Sequence, residues 1–210
     1  GLFDRAIEKA ATMPPENDSL LASLINASGY KENPDRKLKK QLKEDILHMT
    51  LGGFDVPAGA LGWVMYFLAA HPEAQKKIRD ELNGIDISTL PADAYKNMSY
   101  TTGFILEVLR FHSLPSALPR QATRDVDIGN LHIPEGSNIA IPIKLIHENE
   151  ECFKNASSFM PERHNAQNNP PPKGAFLPFL DGAHACPGKN AFFAQALPLV
   201  LGIVKNFDLS

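Results

Sequence analysis

At 210 residues, with 43% hydrophobic and 21% charged side chains, the chain has a globular composition able to bury a core, which excludes a disordered segment. The net charge of −3 gives no general attraction to nucleic acid or anionic membranes, and no uninterrupted run of about 18 apolar residues offers a membrane span. Two cysteines, Cys152 and Cys186, are too few for a disulfide framework, which leaves a lone functional thiolate as the chemical question.

Leu2, Phe3, Ala6 and Ile7 already follow an apolar helical pattern at the first residues, and Phe207-Asp208-Leu209-Ser210 closes the last helical run uncovered, so both ends read as cuts. Residues 2–12 and 16–28 read as short helices divided by Met13-Pro14-Pro15, and Gly29 ends the second. After Asn33-Pro34-Asp35 a long helix is expected through Ala70. It opens on Arg36-Lys37-Leu38-Lys39-Lys40-Gln41-Leu42-Lys43, whose lysines read as a solvated face. His71-Pro72-Glu73 closes that helix and opens another to about Leu82, because Pro suits the first helical position and Glu the positive helix start. Ser99 is expected to cap a helix through His112, with Phe104, Val108 and Phe111 on one face. Between Arg120 and Pro142 the period shortens, with Gly129-Asn130 and Pro134-Glu135-Gly136 as turns, which predicts short strands and a hairpin. Pro161 to Ala185 reads as irregular, with Asn168-Asn169-Pro170-Pro171-Pro172 excluding regular structure, and a last helix is expected from Pro187 to about Phe207. The fold class expected is mainly α with a small β component.

The segment Phe179-Leu180-Asp181-Gly182-Ala183-His184-Ala185-Cys186-Pro187-Gly188 sets an aromatic, two glycines and a cysteine at fixed offsets before a helix. With Cys186 at the expected cap and Pro187 at the first helical position, unpaired N–H groups and the positive end of the dipole favour a thiolate that can ligate metal. Gly182 lets the loop turn, Gly188 lets a flat macrocycle approach, and Phe179 can shield the sulfur. A free cysteine is most often only a small buried residue. Against that, this spaced string should arise by chance in a chain of this length on the order of once in a thousand cases.

The string resembles the heme-binding loop of the cytochromes P450, in which a cysteine thiolate is the axial iron ligand. The resemblance implies heme b (iron protoporphyrin IX) as cofactor, Cys186 as the metal ligand, and His184 in the place of a basic residue that reaches a heme propionate. Leu180 departs from the small or polar residue usual there, and Ala191-Phe192 reverses a common order.

Glu107 and Arg110, three apart on a helix, face one side and can pair, while Phe159-Met160-Pro161-Glu162-Arg163 supplies a further arginine. By themselves these could form a surface ion pair worth at most about 1 kcal/mol. The family resemblance implies instead a structural triad of Glu107, Arg110 and Arg163 behind the cysteine loop. It also implies a propionate-binding role for Arg120, a packing and hydrogen-bonding role for His147, and structural roles for His112 and Cys152.

The long helix carries Gly52-Gly53-Phe54-Asp55-Val56-Pro57-Ala58-Gly59, whose two central glycines and proline disfavour a straight helix by roughly 5 kcal/mol. Pro57 cannot donate to the Gly53 carbonyl, so a bend is expected, whether for packing or for function. The segment is similar to the family's dioxygen-binding turn in Gly52, Gly53 and Asp55, but Val56 stands where that turn has threonine. Valine copies the shape and lacks the hydroxyl that relays a proton. Three readings follow: a monooxygenase in which water, Asp55 or a substrate hydroxyl carries protons; a hydroperoxide-using peroxygenase, isomerase or dehydratase; or an inactive truncated chain.

The resemblance covers residues 1–210 as a partial domain, from the helices before the oxygen-binding helix through the helix after the cysteine, without the family's first half or final strands. It implies a small apolar organic substrate, suggested also by Phe54, Val56 and Ala60, a reductase docking near the cysteine loop, and no nucleic-acid partner. For a eukaryotic source it implies the endoplasmic reticulum membrane, reached through an anchor in the preceding part.

Overall fold

The computed structural model describes residues 1–14, 19–165 and 170–210. Pro15, the first residues expected in the second helix (16–18), and Asn168-Asn169 lie outside the described residues. The chain divides into two compact units, Gly1–Val56 and Pro57–Ser210.

In the first unit, α1 (Leu2–Ala11) and α2 (Leu20–Ser28) pack through Ile7, Ala10 and Ile25 together with Tyr30 and Leu42. The Ser19 hydroxyl accepts the Ala22 N–H at 3.3 Å to start α2, and Gly29, at φ 71°, ends it in the left-handed conformation that glycine adopts without a Cβ penalty. Helix α3 (Arg36–Ala70) begins in this unit and runs unbroken through Pro57 into the second. Two lysines of the expected solvated face have partners on α1: Lys39 donates to Glu8 at 2.8 Å, and Lys43 pairs with Asp4.

By length and composition alone, α3 is also apolar enough to cross a membrane. The expectation of no span rested on unbroken apolar runs. Isolated polar residues interrupt such runs without much lowering the average.

In the second unit, the end of α3 packs with α4 (Pro72–Glu81), α5 (Ser99–Phe111) and α7 (Lys189–Asn206) around Val64, Leu68, Ile78, Phe104, Val108, Phe193 and Val200. Each fully buried large side chain contributes about 1.5–3 kcal/mol of hydrophobic stabilisation. Ser99 is not the cap of α5. It is the first helical residue, and the Glu81 carboxylate from α4 accepts the Tyr100 and Thr101 N–H groups at 2.8 Å each, so a tertiary partner replaces a local one. Gly103 lets α5 lie against the turn Pro161–His164, where an added Cβ would sit 2.7 Å from the Pro161 carbonyl oxygen. One of the orphan carbonyls at the end of α7 is met by Arg79, whose Nε donates to the Val204 carbonyl at 2.8 Å.

The β component is two antiparallel pairs. β2 (Val126–Ile128) and β3 (Leu131–Ile133) form the expected hairpin, while β1 (Leu118–Gln121) pairs with β4 (Asn138–Ile141), setting Arg120 opposite Ile139. A short helix, α6 (Ile143–His147), follows β4.

Candidate functional site

Cys186 is free and exposed, and its N–H donates to the Phe179 carbonyl at 2.8 Å, closing a loop over residues 179–186. Inside the loop the Asp181 carboxylate accepts the Gly182 N–H at 2.8 Å, and Gly182–His184 make one tight turn closed by the Ala185 N–H on the Gly182 carbonyl at 3.1 Å. Leu180 and Gly182 both have left-handed backbones, at φ 61° and 69°. Glycine takes that conformation freely, whereas leucine does so at a cost of about 1–2 kcal/mol. The half-buried Phe179 ring sits 5.7 Å from the rings of both Phe192 and Phe193 and so pins the loop to α7. Cys186 stays exposed beside it.

The last helix starts two residues later than the sequence pattern predicts. Pro187 and Gly188 form a turn, Gly188 is the N-cap, and the Phe192 N–H closes the first helical bond on the Gly188 carbonyl at 2.8 Å. Proline's preference for the first helical position is overridden by the Pro-Gly turn, so Cys186 precedes the cap by two residues.

Does the loop fit a thiolate-bound macrocycle? A Cβ on Gly182 would meet nothing within 4 Å, and one on Gly188 would lie 3.6 Å from the Cys186 sulfur. The chain's own packing therefore demands neither glycine for space, and the Cys186 side chain between them is exposed. Among the described residues no three His, Cys, Asp or Glu side chains converge. A heme held by Cys186 would bring the iron's remaining in-plane ligands with it. The residues fit.

His184 is exposed in the loop turn. Arg120 is half-buried on β1 and donates from Nη1 to the Pro119 carbonyl at 2.8 Å. Gly53, Asp55 and Val56 are exposed on the part of α3 that belongs to the first unit, beside Phe54, which is 75% exposed.

Glu107, Arg110 and Arg163 come together. Arg110 grips the Glu107 carboxylate from Nε and Nη2, each at 3.0 Å, and Arg163 Nε reaches Glu107 Oε1 at 2.9 Å. Arg110 also donates to the carbonyls of His147 and Ala156 at 2.7 Å, and Arg163 to those of Lys154, Asn155 and Ser158. Glu107 and Arg110 are fully buried. Burial alone would raise the Glu107 carboxyl, but hydrogen bonds from His164, Arg110 and the Met160 N–H outweigh it and hold the pKa down to about 2.

Two histidines stand close to this cluster, and only His147 was singled out in the sequence. His164 Nε2 meets Glu107 Oε2 at 2.8 Å, which makes a fourth partner of the cluster. Its signal was only its place directly after Arg163. His147 is fully buried, and both ring nitrogens are engaged.

The family model described as Cytochrome P450 matches residues 4–210. Cytochrome P450 3A25 of Mus musculus is 29% identical over 211 residues, covering 96% of this chain and 41% of that protein. Cytochrome P450 4A10 of Rattus norvegicus is 29% identical over 181 residues, covering 85% of this chain and 35% of the relative. The cytochrome P450DA heme domain superposes with a TM-score of 0.83 at 22% identity, over 97% of this chain and 46% of its own. The retinoic acid-bound cyanobacterial CYP120A1 does so with a TM-score of 0.80 at 25% identity, over 99% of this chain and 48% of its own. The chain therefore spans less than half the length of these relatives.

Proposed function

This chain belongs to the cytochrome P450 family, and on that premise we propose that residues 1–210 are the cysteine-bearing part of a heme-thiolate monooxygenase acting on a small apolar organic substrate with O2 and reductase-supplied electrons. The observation that carries this reading is the Phe179–Gly188 loop, which fastens the Cys186 backbone to the Phe179 carbonyl and leaves the side chain exposed. Bound through Cys186, heme b would supply an iron whose electron-rich sulfur ligand favours O–O cleavage.

The chain's own residues have separate tasks. Phe179 anchors the loop, and Gly182 and Gly188 add no side chain beside Cys186. His184 and Arg120 are the cationic or hydrogen-bonding groups assigned to the propionates. Arg110 and Arg163, both held by the Glu107 carboxylate, donate to carbonyls between residues 147 and 158 and so set the backbone that leads toward the loop. Gly53 and Asp55 are assigned to dioxygen and its protons, and Val56 offers only shape. A reductase would dock near the cysteine loop. For a eukaryotic source we place the protein at the endoplasmic reticulum membrane.

Val56 favours a second reading. The nearest aliphatic hydroxyl on α3, that of Thr50, lies six residues back and donates to the Ile46 carbonyl at 2.8 Å. With no free alcohol at that turn, an organic hydroperoxide is the natural alternative oxidant, because it arrives with its O–O bond already formed. The variant Val56→Thr separates the two. A monooxygenase gains product per electron and releases less hydrogen peroxide. An unchanged ratio, with turnover supported by hydroperoxide alone, selects the second reading.

A further inference from the structure

His147 sits at the end of α6 with no exposed surface, between the end of α5 and the segment that leads to the cysteine loop. Its Nε2 is 2.9 Å from the Leu177 N–H and its Nδ1 is 2.8 Å from the Ser113 hydroxyl. A backbone N–H can only donate, so Nε2 is the acceptor and carries no proton. The proton is then on Nδ1 and is given to Ser113, which leaves the Ser113 hydroxyl hydrogen for the Leu109 or Arg110 carbonyl, each at 3.4 Å.

From Leu177 the hydrogen bonds run on. Its carbonyl accepts the Leu180 N–H at 3.2 Å, and the neighbouring Phe179 carbonyl accepts the Cys186 N–H at 2.8 Å. The His147 carbonyl meanwhile holds Arg110 at 2.7 Å, so one residue ties the buried Glu107 cluster to the loop.

We infer that His147 is a positioning residue for the cysteine loop, fixing the Leu177–Phe179 backbone through a neutral imidazole whose proton is on Nδ1. A protonated ring would have no lone pair for Leu177, and the approach to Cys186 would lose its anchor. The groups facing the ring are Arg110 and Glu107 from α5 and His164 from the Pro161–His164 turn, with Phe153 and Phe176 as aromatic neighbours. Burial, and then the positive Arg110, disfavour a charged ring and hold its pKa down to about 4. The inference rests on the heme-thiolate reading only for the purpose of the loop; the hydrogen bonds and their test do not depend on heme.

The test has two arms in the whole protein. Nitrogen-15 shifts of the His147 ring report the tautomer directly, and a proton on Nε2 at neutral pH would overturn the inference. Amide exchange of Leu177 is then compared in the wild type, His147→Gln and His147→Phe. Gln keeps an acceptor that does not titrate and should retain protection, whereas Phe keeps bulk without an acceptor and should lose about tenfold or more. If His147→Phe does not fold, Ser113→Ala, which releases the tautomer, should weaken Leu177 protection in its place. Unchanged protection in the variant that folds would also overturn the inference.

Discussion

The Glu107 carboxylate and the Arg110 guanidinium, three residues apart on α5, meet in two hydrogen bonds of 3.0 Å with neither group exposed to solvent. Such a pair costs desolvation on both sides, so its net worth is small while both partners are present. Its role is geometric: Arg110 and Arg163 together hold the carbonyls of His147, Lys154, Asn155, Ala156 and Ser158, all but the first beyond the end of α6.

Removing one partner exposes that cost. Glu107→Gln leaves the buried Arg110 charge without its carboxylate and should destabilise the fold by about 3–5 kcal/mol. Urea unfolding at neutral pH measures this, and a loss well under 1 kcal/mol would show that the cluster is not held by charge.

Acid should weaken the fold in two stages. His147 has its pKa lowered from 6.5 to about 4, so below pH 6.5 the unfolded chain takes a proton that the native ring refuses. Stability is complete above that range and falls as pH drops through it, by up to about 3 kcal/mol for this group. His164 is also lowered, chiefly by burial, and acts in the same direction. Glu107, lowered from 4.5 to about 2, contributes above 4.5 and loses that contribution as pH falls toward 2. Urea midpoints taken downward from neutral pH should decline before the carboxylate range is reached. A flat profile to about pH 5 would contradict the buried, neutral histidines.

Gly103→Ala sets two effects against each other. Helix propensity favours alanine by about 1 kcal/mol, but the new Cβ would lie 2.7 Å from the Pro161 carbonyl oxygen, and overpacking costs about 1–3 kcal/mol. The obstacle is backbone next to Arg163, so the clash should win and stability should drop by up to about 2 kcal/mol. Thermal unfolding decides it, and a gain in stability would mean that α5 and the turn are free to separate.

What could be read in advance follows from how far each partner lies along the chain. Glu107 and Arg110 were legible because three residues on a helix is one turn, and the Cys186 loop because its glycines and aromatic stand at fixed offsets. His164 was not, since its partner is 57 residues away across irregular segments that no periodicity describes, and His147 was given its hydrogen bonding only by the resemblance, its partner Leu177 lying 30 residues on. Ser99 failed as a cap for a related reason: the Glu81 carboxylate, 19 and 20 residues earlier, takes the N–H groups that a local serine would have met. At the cysteine loop the Pro187-Gly188 turn moved the helix start by two residues, a local competition between two proline preferences.

The central claim, a thiolate bond from Cys186 to heme iron, is tested most directly by the difference spectrum between the reduced carbon monoxide complex and the reduced protein, recorded beside a Cys186→Ser control. The account predicts the strongly red-shifted Soret band of a thiolate-ligated heme in the parent protein and its disappearance in the control. The same spectrum in both, or no heme bound by the parent, would contradict it.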